Sequence, residues 1–188
     1  MSLPEHRPMT GRFLRLAAAM ALAGLTAGCF QPLYGQRSVT STCSVGDALR
    51  RVQIDPINAP NGSPEARLAV EVRNNLIFDT TGGSGQSSPT HRLAIQLASL
   101  RQQVIVDITT ARPDVENYGI NATYTLTEIA SGKSVVTGQT FSRVTFDIPG
   151  QEQRFARIRG LRDAENRAAK MIADNIRSRL ASYFVAGS

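Results

Sequence analysis

The spacing of apolar and polar residues changes several times along the chain, and each change predicts an element. "RRVQIDPI" (50–57) alternates Val52 and Ile54 with polar neighbours and stops at Pro56, the pattern of a short strand. "NAPNG" is turn chemistry, and Ser63-Pro64 then offers an N-cap with proline at the first helical position. From Pro64 to about Asp79, Leu68, Val72 and Leu76 recur every four residues, with Arg67 and Glu71 paired on the flank. That spacing predicts a helix. "TTGGSGQSSPT" (80–90) has neither a charge nor a large side chain, so it reads as a flexible loop.

Period two then returns. "HRLAIQLASL" puts Leu93, Ile95 and Leu97 on one face, with a continuation towards Val104 and Val106. "NYGINATYTLTEI" sets Tyr118, Ile120, Ala122, Tyr124 and Leu126 against a polar face of Asn121, Thr123, Thr125 and Thr127. "ASGK" makes a tight turn into "SVVTGQTFSRVTF", which reads as the returning strand of a hairpin. After Asp147-Ile148-Pro149-Gly150 the period becomes four. Ala164, Ala168, Ile172, Ile176, Leu180 and Phe184 form one row, with Met171 and Tyr183 beside it. Gly160 interrupts this pattern, so the helix either starts near Arg162 or is weakened at the glycine. The order is β-α-β-β-β-α. Two helices with one apolar stripe each need a common surface, which gives an α+β domain with both helices on one face of a roughly four-stranded sheet.

The first residues obey a different pattern. Arg7, Arg12 and Arg15 form a basic head, and Leu16 to Ala27 is apolar or small apart from Thr26. This run is shorter than the roughly 20 apolar residues that a spanning helix needs, so it reads as a secretory signal. Its end, Leu25-Thr26-Ala27-Gly28-Cys29, resembles the bacterial lipobox, with Thr26 where leucine is usual. The expected organisation is a signal peptide over 1–28, a lipidated tether over 29–48 and one domain over 49–188. Cys29 would carry lipid on its sulfur and its amino group, an anchor far more durable than one acyl chain. Phe30 stands where an inner-membrane lipoprotein commonly has Asp, which favours the outer membrane, periplasmic side. Lipidation of Cys29 leaves Cys43 without an intramolecular partner and excludes a disulfide-stapled fold.

Composition narrows the chemistry. The formal charge of +6 falls to +4 without the three arginines and one glutamate of the opening segment, a balance that suits an anionic partner or a solvated basic surface. Nucleic acid is a poor candidate for an exported chain with no aromatic stacking platform. Past the signal the single histidine is His91, which reads as a surface residue, and no HxxxH, CxxC or GxSxG surrounds it. Asp163 and Glu165 are two apart on a helix and point in different directions. Neither an enzyme, nor a metal site, nor a cofactor other than the lipid on Cys29 is expected. Arg101, Arg112, Lys133, Arg143, Arg154, Arg157 and Arg159 remain, and arginine forks match phosphate bidentately.

"CFQPLYG", "VEVRNN" and "RDAENRAAKMIADNIRSRLASYF" together resemble the LptE family of lipopolysaccharide-assembly lipoproteins, in its alphaproteobacterial form. The family's usual Cys-Gly-Phe start lacks its glycine here. The resemblance implies a non-enzymatic protein that sits inside the LptD β-barrel as a plug, assists its assembly and binds lipopolysaccharide. It also implies lipopolysaccharide-binding cations between the central strands and at the last strand-to-helix junction, which fall on Arg112 and Arg154, with Arg143 a third candidate. An accessory lipoprotein of another periplasmic lipid-transport system is the alternative.

Overall fold

A computed structural model describes residues 44–83, 88–104, 115–147 and 154–186, with the side chain of Arg154 excepted. The signal segment, Cys29, Cys43 and Arg112 lie outside the described residues. Seven elements follow in chain order: helix α1 (Val45–Arg50), strand β1 (Val52–Ile54), helix α2 (Pro64–Thr81), strands β2 (His91–Val104), β3 (Val115–Glu128) and β4 (Ser134–Asp147), and helix α3 (Arg154–Val185). The strands form one sheet in sequence order, with β1 parallel to β2 and the other pairs antiparallel. The predicted β-α-β-β-β-α order is therefore present, preceded by a six-residue helix.

Alternation sets the two faces of the sheet. Leu93, Ile95, Tyr118, Ile120, Ala122, Tyr124, Leu126, Val144 and Phe146 are buried on the inner face. α2 covers β1 and β2, and α3 covers β3 and β4. Ser63 caps α2, its hydroxyl accepting from the Ala66 amide at 3.2 Å, and Gly82 closes it in the left-handed region at φ 64°. Thr80 and Thr81, assigned to the loop by composition, are buried in the last turn of α2. Their hydroxyls donate back to the carbonyls of Leu76 and Ile77 at 2.7 Å, which lets them be helical and buried together.

The row Ala164, Ala168, Ile172, Ile176 and Leu180 is wholly buried, but the stripe on α3 is wider than one row. Ala169, Ala173 and Ala181 are buried beside it, whereas Met171, expected next to the row, is 46 % exposed. The small residues bring the helix close to β4. Ser142 donates to the carbonyl of Ala168 at 3.0 Å, and Asn175 donates to the Thr140 hydroxyl at 3.1 Å. Gly160 does not end the helix, which runs unbroken from Arg154. A Cβ there would lie 3.5 Å from the ring of Phe146, an ordinary van der Waals contact, so the packing does not require the glycine.

Val45 and Leu49 of α1 join the core, so packing begins inside the stretch read as a tether. His91 also departs from a plain surface histidine. It is half-buried against the rings of Tyr183 and Phe184, with centroids 6.4 and 5.2 Å away.

Candidate anion-binding site

Strand register decides which arginines are neighbours. Val104 pairs with Val115, and Val115 pairs with Asp147, so β2 ends, β3 begins and β4 ends at the same edge of the fold. The connection 105–114, which carries Arg112, therefore leaves and returns at the end where 148–153 leads into Arg154 and α3. Arg112 itself lies outside the described residues, and only the described ends of its connection stand near the start of α3. Arg143 stands apart from that edge. Its neighbours Ser142 and Val144 are buried under α3, which puts Arg143 on the outer face of the sheet. It stands four residues before the end of β4, about 13 Å away at ~3.3 Å per residue.

The first turns of α3 add side chains that charge alone does not reveal. "RFARIRGLR" places Phe155 and Ile158 among Arg154, Arg157, Arg159 and Arg162. Phe155 is 82 % exposed. Exposed apolar groups among cations form an amphipathic patch suited to an anionic amphiphile. Composition draws attention to the arginines, while the apolar partners pass for ordinary helix residues until their exposure is known.

Buried carboxylates hold this end in place. Glu116 points inward from β3, and its carboxylate receives Arg157 Nη2 at 3.5 Å. Arg67 of α2 is paired to the buried Glu165 of α3 and donates to Asn166 at 3.1 Å, which joins the two helices. The Ser99 hydroxyl donates to Glu65 Oε1 at 2.5 Å, and this bond holds the Glu65 carboxyl below its ordinary pKa. Burial pushes the Tyr118 hydroxyl, beside Ser99, in the opposite direction. Arg101, Arg143, Arg159 and Arg162 form no ion pair with a described carboxylate, so their charge is open to a ligand. Among the described residues no group of three His, Cys, Asp or Glu could hold a metal ion, and no helix is long and apolar enough to cross a membrane.

A family model described as LptE, lipopolysaccharide-assembly, matches residues 49–180, well over half of the chain. The chain belongs to the LptE family. LptE proteins are non-enzymatic lipoprotein factors of lipopolysaccharide assembly and are associated with the outer membrane. None of the curated proteins matches the sequence. Among solved structures, a protein described as a lipoprotein from Caulobacter crescentus is similar with a TM-score of 0.60 at 20% identity, over 77% of this chain and 97% of that one. The rare lipoprotein B from Shewanella oneidensis is similar with a TM-score of 0.52 at 12% identity, over 72% of this chain and 96% of that one. At these identities the likeness shows the fold alone.

Proposed function

We propose that this LptE-family chain assists assembly of an LptD-type β-barrel, plugs its lumen, and helps deliver lipopolysaccharide to the outer membrane. Acyl chains on Cys29 tether it to the periplasmic side of that membrane. The observation that carries the lipopolysaccharide contact is the basic, partly apolar end. Arg159 and Arg162 stand with the exposed Phe155 and Ile158 on the first turns of α3, and the described ends of the connections 105–114 and 148–153 lie alongside. Phosphates would engage the guanidinium forks, and acyl chains the exposed apolar groups.

Purification from detergent-solubilised outer membranes tests the partner, with a large β-barrel expected to accompany the chain. A barrel-free preparation, or recovery of an inner-membrane transporter instead, refutes the plug. Joint reversal of Arg112 and Arg154 to Glu is expected to weaken lipopolysaccharide binding at least tenfold, a change of about 1.4 kcal/mol, with barrel association retained. Unchanged binding at low salt removes both residues from the site.

A further inference from the structure

The outer face of the sheet is covered by neither helix. It carries many uncharged polar groups, among them Gln96, Asn121, Thr123 and Gln139, with Arg92 and Asp147 towards its two ends and one depression between them. There Gly119 pairs with Leu100 on β2 and with Arg143 on β4, and the missing side chain leaves a depression. Leu100 and Phe141 wall it and stand 59 and 71 % exposed, two large apolar groups on a polar surface. Asn117, Asn121 and Gln102 supply amides around the rim, and Arg143 supplies a cation with no described carboxylate partner. The side-chain carbonyl of Asn117 accepts from Thr145 at 2.8 Å, so its NH2 remains to donate.

Nothing in the fold requires glycine at this position. Gly119 is absent from the positive-φ glycines, and a Cβ would meet only the carbonyl oxygens of Leu100 and Ser142 at 3.7 Å, an ordinary contact. Glycine inside a strand costs stability relative to alanine, and such a glycine often marks a place where a ligand comes close to the backbone. A Cβ would be tolerated by the strand and would fill the floor of the depression.

We propose that this depression is a subsite for an anionic sugar unit. Phe141 and Leu100 meet the apolar C–H face of the ring, the three amides bond its hydroxyls, and Arg143 takes a carboxylate or phosphate substituent. The depression holds only ≈ 40 Å³, so a ring lies across it with one substituent inside. The few placed polar groups on apolar walls are what a small-molecule subsite requires, and the lone guanidinium selects for negative charge. This inference rests on the lipopolysaccharide reading only for the source of the sugar.

The test uses the full chain in detergent with three probes: intact lipopolysaccharide, its deacylated anionic oligosaccharide, and that oligosaccharide after removal of its phosphates and reduction of its carboxylates. Wild type should bind the first two and bind the neutral form at least tenfold more weakly. Gly119→Ala should unfold at an equal or higher temperature and yet bind the anionic oligosaccharide several-fold more weakly, with Gly119→Val weaker still. Arg143→Gln should lose the preference for the anionic form. Greater stability with lost binding is a combination that a merely structural glycine does not produce. If intact lipopolysaccharide binds and the oligosaccharide does not, the subsite is overturned while the family reading stands. If the oligosaccharide binds but intact lipopolysaccharide does not, the delivery reading fails and the subsite stands, with a different exported anionic glycan as its source. If Gly119→Val binds the oligosaccharide normally but no longer recovers the β-barrel, the depression is a protein contact and the sugar subsite is overturned.

Discussion

Replacing Arg157 by alanine should loosen the end of the molecule that carries the proposed lipopolysaccharide contacts. The Glu116 side chain is only 5 % exposed, while that of Arg157 is 49 % exposed, and their charged atoms are 3.5 Å apart. At an effective dielectric constant of about 20 the gross attraction is roughly 4–5 kcal/mol. Half of the guanidinium lies in water, so most of that attraction is screened or offset by desolvation. Removing one partner of a fully buried pair costs about 3–5 kcal/mol, and an exposed pair is worth about 0.2–1 kcal/mol. This mixed pair belongs between those limits, and R157A should destabilise by about 1–2 kcal/mol. E116Q keeps the shape and removes the buried charge, so it should cost less. The double variant R157A/E116Q should be no worse than E116Q by more than a few tenths of a kcal/mol, because no carboxylate is left stranded. Urea unfolding of the three variants measures this coupling. Amide hydrogen exchange should show faster opening over Phe155–Gly160 in R157A, with Ala168–Leu180 unchanged. Additive single-variant costs, or uniform loosening of α3, would refute the reasoning.

Two further outcomes follow from other parts of the structure. Burial against Tyr183 and Phe184 lowers the pKa of His91 below its ordinary value of about 6.5, and the Glu128 carboxylate works against this. The unfolded chain then binds the proton more readily, so the stability owed to neutral His91 is complete above about pH 7. It is lost as pH falls through the unfolded value towards the folded one. Thermal unfolding between pH 7 and 5 should show this loss, and His91→Gln should flatten the slope; an unchanged slope refutes it. Phe155→Ser with Ile158→Ser should reduce retention of the chain on lipopolysaccharide micelles several-fold. Because both side chains are exposed, the urea midpoint should hardly move, and a large drop in it would mean that they are packed.

Much of the fold is legible from periodicity because one layer of helices covers one face of a sheet. β3 is the clearest case: Tyr118 through Leu126 alternate with polar residues, and the buried set is the set that alternation selects. α1 escapes because six residues give too little repetition, although Ser44 and Asp47 carry a local cap. The Ser44 hydroxyl accepts from the Asp47 amide at 3.1 Å, and the side chain of Asp47 receives that hydroxyl at 2.7 Å. Gly160 misleads in the other direction. Intrinsic preference weakens a helix there, but the packing of α3 against β3 and β4 carries the helix through it. The candidate site is legible as a list of cations and not as an arrangement. Charge makes Arg143 equivalent to the arginines of α3, and only strand register and burial put it on the face of the sheet opposite that helix.

The edge of β4, which no described strand covers, bears on how such a domain would work inside a partner. β4 is fourteen residues long, pairs with β3 alone among the described strands, and contains no proline. Arg143 is its only charge before the terminal Asp147. On the other side β1 pairs with His91 to Leu93 only, so most of β2 is also an edge. Long strand edges with few charges invite pairing with other chains, and proteins usually blunt them with lysine, proline or a covering segment. Closed β-barrels have no edges of their own, and their interiors are wet and polar. A domain enclosed there keeps its unblunted edges away from other copies of itself. Its outer threonine, asparagine and glutamine side chains meet water and polar wall groups without needing a matching charge at each position. The same enclosure would bring the basic end and the Gly119 depression into one aqueous passage. The sparsely charged outer face and the edges that no described strand covers, which would be liabilities on a free periplasmic protein, are therefore features that a lumenal plug could retain.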